Sequence, residues 1–134
     1  MTPFKVLLVD DEEEFVRALA ERLEIRGIEA EVALSGEQGL QRVRHGTPDV
    51  MVLDLKMPGI DGLEVLRRVT KSHPEIRVII LTGHGSEKDR DAANRSGAFD
   101  YLQKPVDIQV LMEVLNRARK STLEKRANKR VESS

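Results

Sequence analysis

Five short runs of aliphatic residues punctuate the chain, at Lys5–Val9, Ile28–Ala33, Val50–Leu53, Val78–Leu81 and Phe99–Leu102. They are nearly continuous in hydrophobicity and rich in β-branched side chains, the pattern of strands covered on both faces in a parallel sheet. Segments with helical spacing lie between them. Phe15, Leu19 and Leu23 recur every four residues and line one side of a helix, and Ile108, Leu111, Met112 and Leu115 form a second such stripe. Asp61 with Glu64, Ser35 with Gln38 and Ser86 with Asp89 have the spacing of capping boxes, while Gly27 and Gly97 stand where helices should stop. The helix begun at Ser86 has mainly Ala92 and Ala93 as apolar residues, so it buries little and is expected among the less stable elements. The last helix is expected from Asp107 to near Lys120, followed by an extension, a frayed end or a linker. Such strand–helix alternation, without repeats or low-complexity stretches, predicts a doubly wound α/β domain with right-handed crossovers.

Composition narrows the class. The length of 134 residues, with 40% hydrophobic and 34% charged residues, fits one globular domain, and 3% aromatics require an aliphatic core. The absence of Cys excludes disulfides, thiolate nucleophiles and thiolate zinc sites. No apolar run approaches the roughly 18 residues of a membrane span, and no basic region followed by an apolar stretch opens the chain. The expected location is therefore cytoplasmic. The net charge of −1 hides an asymmetry: residues 117–134 carry seven Arg or Lys against two Glu, which leaves the first 116 residues at −6. Basic residues suit a helix C-terminus, and no aromatics are interleaved with them, so direct nucleic-acid binding by this domain is not expected. Neither is membrane binding.

The polar residues that break the strand pattern fall at the same end of each run. Open α/β sheets bind ligands just beyond the carboxyl ends of their strands. Asp10 and Asp11 end the first run, Asp54 follows the third, Thr82 ends the fourth and Lys104 follows the fifth. Clustered carboxylates repel one another unless a cation sits among them, and hard oxygen ligands without His or Cys select Mg²⁺ or a similar ion. A divalent ion and a Lys would also neutralise a phosphoryl group in transfer, with Asp54 as the nucleophile.

The segments Leu7–Asp11 (LLVDD), Asp49–Gly62 (DVMVLDLKMPGIDG), Ile79–Gly83 (IILTG) and Gly97–Pro105 (GAFDYLQKP) together resemble the receiver domain of bacterial two-component response regulators, over residues 3–120. The resemblance implies a flavodoxin-like (βα)5 fold with a five-stranded parallel sheet of order 2-1-3-4-5, a receiver domain over residues 1–120, and a basic helical extension or linker over 121–134. It implies that Asp54 accepts a phosphoryl group from a sensor histidine kinase or a histidine phosphotransfer protein. Mg²⁺ would be held by Asp11 and Asp54, by the Lys56 backbone carbonyl, and by Asp10 through water, while Thr82 and Lys104 would hold phosphoryl oxygens. Thr82 and Tyr101 would be the switch residues, and Lys56 and His84 would tune the lifetime of the phosphorylated state. A cis Lys104–Pro105 bond is also implied. The output face would comprise helix 86–96, strand 99–102 and helix 107–120, which could serve for homodimerisation. Such a protein is no enzyme beyond catalysing its own phosphorylation and dephosphorylation.

Three other functions compete. A phosphohydrolase with an Asp nucleophile and Mg²⁺ would want Asp-x-Asp after the first strand, where Asp10 and Asp11 are adjacent. A flavin mononucleotide carrier would need a hydroxyl- and Gly-rich loop there. An unphosphorylated binding module is disfavoured by the full set Asp10, Asp11, Asp54, Thr82 and Lys104. His45 and His73 sit beside Gly46 and Pro74 and read as helix-end residues. Gly-His-Gly after Thr82 and the run Phe99–Pro105 also resemble regulators that carry an ATPase transcription-activation domain.

Overall fold

A computed structural model describes residues 3–133. Its strands are β1 (Lys5–Val9), β2 (Glu29–Ala33), β3 (Val50–Leu53), β4 (Arg77–Thr82) and β5 (Asp100–Gln103), and its helices are α1 (Glu13–Ile25), α2 (Gly36–His45), α3 (Gly62–Ser72), α4 (Glu87–Arg95) and α5 (Ile108–Ser133). All neighbouring strands pair in parallel, in the order β2-β1-β3-β4-β5. The flavodoxin-like order implied by the resemblance is thus the observed one, and each strand pattern lands on a strand to within a residue or so.

The period of two along each strand divides the core into two layers. Val6, Leu8, Val50, Val52, Ile79 and Leu81 face α1 and α5, packing with Leu19, Leu23, Leu111 and Leu115. Leu7, Val9, Met51, Leu53, Val78 and Ile80 face the other way, onto Val43 of α2, Val65, Leu66 and Val69 of α3, and Ala93 of α4. Both predicted helical stripes therefore reach the core, though Phe15, Ile108 and Met112 are only partly buried. Helix α4 is held as thinly as its sequence suggests, since Ala93 is its one buried residue.

Helix boundaries follow the side chains that satisfy free backbone groups. Ser86 and Asp89 form a complete capping box at α4. At α3, Asp61 accepts from the Glu64 amide, whereas Glu64 turns instead to Arg67 and Arg68. At α2, Ser35 accepts from Gln38, whose own amide oxygen bonds the Leu34 amide rather than that of Ser35. Gly27 and Gly97 have φ of +82° and +99°, the left-handed conformation that ends a helix and that other residues rarely adopt.

Past Lys120, where an extension, a frayed end or a linker was expected, α5 takes the first of these and continues to Ser133. Local contacts explain the continuation. Thr122, fully buried, places its Oγ1 2.8 Å from the Asp49 carbonyl and 3.1 Å from that of Ala118. The Arg126 guanidinium donates to Asp49 Oδ1 and, at 2.9 Å, to the Pro48 carbonyl, while Asp49 Oδ2 accepts from the Lys5 amide at 2.9 Å. Arg77 Nε donates to Ser121 Oγ at 2.9 Å. These side chains fasten the helix to the amino-terminal edge of the sheet, opposite the acidic rim. No described helix is long and apolar enough to cross a membrane.

Removing these bonds should weaken the fold. Thr122→Ala and Arg126→Ala are each expected to lower stability by about 1–2 kcal/mol, because each leaves a buried oxygen of Asp49 or Pro48 short of a donor. Urea unfolding checks this; an unchanged midpoint for both variants would mean the fastening contributes nothing.

Candidate functional site

The parallel sheet delivers the polar strand-end residues to one rim. Asp10 follows β1 directly and is 5% exposed; Asp54 follows β3 and is 3% exposed; Thr82, the last residue of β4, is fully buried. Lys104 follows β5 and is anchored by its amide, which donates to the Thr82 carbonyl at 2.9 Å. The Lys104–Pro105 bond is cis, as expected. Gly62, opening α3, lies so close to the acceptor loop that a Cβ would run into the Asp54 carbonyl, so a side chain there would push the helix off the rim.

At the centre of the rim is the Lys104 ammonium. Its Nζ stands 2.7 Å from Asp10 Oδ2, 2.7 Å from Glu12 Oε1 and 3.7 Å from Asp54 Oδ2, and it lies 4.4 Å from the centroid of the Phe15 ring. Burial is the largest single influence and would lower the Lys104 pKa, but the bonds that Lys104 donates to Asp10 and Glu12, together with the charges of Asp10 and Asp54, outweigh it and the net shift is upward. For Asp10, burial dominates and raises its pKa despite the bond from Lys104. Glu12 is shifted down by the separate bond that it accepts from Lys104.

The carboxylates that converge are Asp10, Glu12 and Asp54, each offering an oxygen within 4.8 Å of the others. The sequence placed Asp11 in this group instead. Asp11 is exposed and lies outside the cluster, while Glu12, one residue on, reaches in. Backbone position gave Asp11 and Glu12 similar claims, and only the side chains' directions separate them. Phe15 was assigned to the core stripe alone; its ring also forms a wall of the ammonium pocket. An all-oxygen donor set that converges this closely suits a hard divalent cation.

The remaining expected residues surround this centre. The Lys56 amide makes a long 3.4 Å bond to Asp54 Oδ1, while its ammonium reaches away from Asp54 to Asp89 Oδ2 at 3.4 Å. That Asp89 oxygen also accepts from the Ser86 amide, so one atom serves both the α4 cap and the acceptor loop. Bonding from Ser86 and then the nearby Lys56 keep the Asp89 carboxyl below its ordinary range. The exposed His84 donates its amide to Thr82 Oγ1 at 3.4 Å. Tyr101 is buried against Gly85, where a Cβ would overlap its hydroxyl, and Arg90 lies over its ring at 5.1 Å. The Tyr101 hydroxyl has no hydrogen-bond partner among the described residues, and burial raises its pKa.

A family model described as the response regulator receiver domain matches residues 6–116. The chain belongs to this family. Members are regulatory proteins rather than classical enzymes. Among curated relatives of this receiver domain, the transcriptional regulatory protein TrcR of Mycobacterium tuberculosis is 39% identical over 111 residues, covering 83% of this chain and 43% of TrcR. The DNA-binding transcriptional regulator NtrC of Klebsiella pneumoniae is 37% identical over 83% of this chain and 24% of NtrC. The chain therefore spans less than half the length of these two relatives. Among solved structures, a CheY-like response regulator receiver domain protein from Methanospirillum hungatei superposes with a TM-score of 0.88 at 26% identity, covering 92% of this chain and 99% of that one. NtrX from Brucella abortus gives 0.87 at 31% identity, covering 96% of this chain and 30% of its own.

The unpartnered hydroxyl of Tyr101 gives a direct test of its surroundings. Tyr101→Phe should raise stability by on the order of 1 kcal/mol, because it removes a buried polar group that forms no bond. A loss of stability on urea unfolding would mean that the hydroxyl is bonded in solution.

Proposed function

We propose that this receiver domain accepts a phosphoryl group on Asp54 and thereby changes its output surface. The observation that carries the reading is the convergence of Asp10, Asp54 and Lys104, from three separate strands, around one buried point. An oxygen of Asp54 attacks the phosphorus of a phosphohistidine on a sensor kinase or phosphotransfer protein. A P–O bond to Asp54 forms as the P–N bond breaks, and the imidazole leaves with a proton. Lys104 then pairs with one phosphoryl oxygen and the Thr82 hydroxyl donates to another, charge-assisted bonds that are stronger than neutral ones.

The residues present fit Mg²⁺. Asp10, Asp11, Asp54 and the Lys56 carbonyl are the proposed holders; of their side chains, that of Asp11 alone lies outside the observed cluster. When bound, the ion would neutralise the charge that Lys104 alone cannot. The rest of the chemistry belongs to the protein: Asp54 supplies the nucleophile, Lys104 and Thr82 the oxygen contacts, and burial keeps water scarce.

Thr82 and Tyr101 are the proposed switch residues, with Thr82 drawn toward the phosphoryl group and Tyr101 carrying the change to the face formed by α4, β5 and the first part of α5. That face is a candidate for homodimerisation. Lys56 and His84 flank the acceptor and are proposed to hinder attacking water. The domain would act in the cytoplasm, without direct binding to nucleic acid or membrane.

Acetyl phosphate with Mg²⁺, followed by intact-mass measurement, tests this. The chain should gain about 80 Da, one phosphoryl unit, and Asp54→Asn should gain nothing. Lys56→Ala and His84→Ala should load but lose the adduct faster. A persistent adduct on Asp54→Asn would place the chemistry elsewhere, and unchanged decay in both other variants would end the proposal for lifetime control.

A further inference from the structure

Glu12 occupies the N-cap position of α1, where a Ser, Thr, Asp or Asn would accept from the first free amides of the helix. Here it makes no such bond. Its carboxylate crosses the rim to Lys104 Nζ at 2.7 Å, while its amide donates to Asp10 Oδ1 at 2.9 Å. The ammonium thus has two short bonds, to Asp10 and Glu12, and stays 3.7 Å from Asp54, beyond hydrogen-bond length. Phe15 closes another side of the ammonium. Among the described residues, the one hydrogen bond to the Asp54 carboxylate is the 3.4 Å contact from the Lys56 amide.

We propose that Glu12 is a positioning residue that holds Lys104 off Asp54 until a phosphoryl group arrives. The inference rests on the phosphoacceptor reading above. With Glu12 in place, the acceptor carboxylate faces incoming ligands without an ammonium bonded across it. The Glu12 side chain is 56% exposed, against 3% for Asp54. Its bond is therefore the exchangeable one: water can take over the carboxylate when Lys104 turns to a phosphoryl oxygen, whereas the buried Asp10 keeps its hold. Loss of the Glu12 charge removes the pull that balances Asp54, and the ammonium moves toward the acceptor.

The test is the energetic coupling between Lys104 and Asp54, measured without metal. Urea unfolding in chelator of the native chain, Lys104→Met, Asp54→Asn and the double variant gives that coupling, and the same four proteins carrying Glu12→Gln give it again. Glu12→Gln should raise the coupling by roughly two- to fivefold in equilibrium constant, the value of one partly exposed ion pair. An unchanged or smaller coupling overturns the proposal. A second arm needs only Glu12→Gln: loading by acetyl phosphate should slow at limiting Mg²⁺ and recover at excess, because the ion then competes with the displaced ammonium. Slower loading with unchanged coupling would make Glu12 a ligand in its own right, which also overturns the positioning role. Raised coupling in a chain that never loads would uphold that role and sink the phosphoacceptor reading instead.

Discussion

A buried ammonium set among carboxylates is the interaction on which the rim depends. Asp10 and Asp54 are almost fully buried and come from different strands, and their charges would drive those strand ends apart without a counter-charge between them. Lys104 supplies it from a third strand. Removing one member of such a group leaves an uncompensated charge in a site closed to water, a cost larger than the net value of the ion pair itself. The arrangement has surplus negative charge even so: three carboxylates meet one ammonium. That surplus is what favours a further cation, and the sparsely bonded oxygens of Asp54 are what favour chemistry there.

Changes at this centre have a short route to the surface. Lys56, two residues past Asp54, reaches Asp89 in the cap of α4, and Tyr101 lies between Gly85 and Arg90 in the same neighbourhood. Helix α4 is fastened to the core by Ala93 alone among its buried residues. An element held so lightly can be repositioned by free energies of the size of a single ion pair, whereas α5 cannot, being tied at its far end through Thr122, Arg126 and Asp49. The molecule thus has one lightly held helix beside β5 and one firmly tied helix packed on β3 and β4.

The strands and the strand-end residues were legible in the sequence because both follow from the backbone. A run as short and β-branched as Val50–Leu53 reads as a covered strand, and the parallel sheet then fixes where Asp54, Thr82 and Lys104 stand. Side-chain direction was not legible. Asp11 and Glu12 are adjacent in a run of acidic residues, and nothing in their order tells which one turns toward Lys104. The sequence left open whether α5 extends past Lys120 for a related reason: its hold on the sheet comes from polar groups, Thr122 and Arg126 on Asp49, residues 73 and 77 positions apart, and a hydrophobic stripe does not reveal such bonds.

The most direct measurement of the central interaction is the stability of Lys104→Met with and without Mg²⁺. In chelator the variant should be less stable than the native chain by about 2 kcal/mol or more, since buried carboxylates lose their cation. Added Mg²⁺ should restore most of that loss, because an ion bound only by the folded state takes over the ammonium's charge. A Lys104→Met chain as stable as the native one in chelator, or one that Mg²⁺ leaves unchanged, would contradict the account.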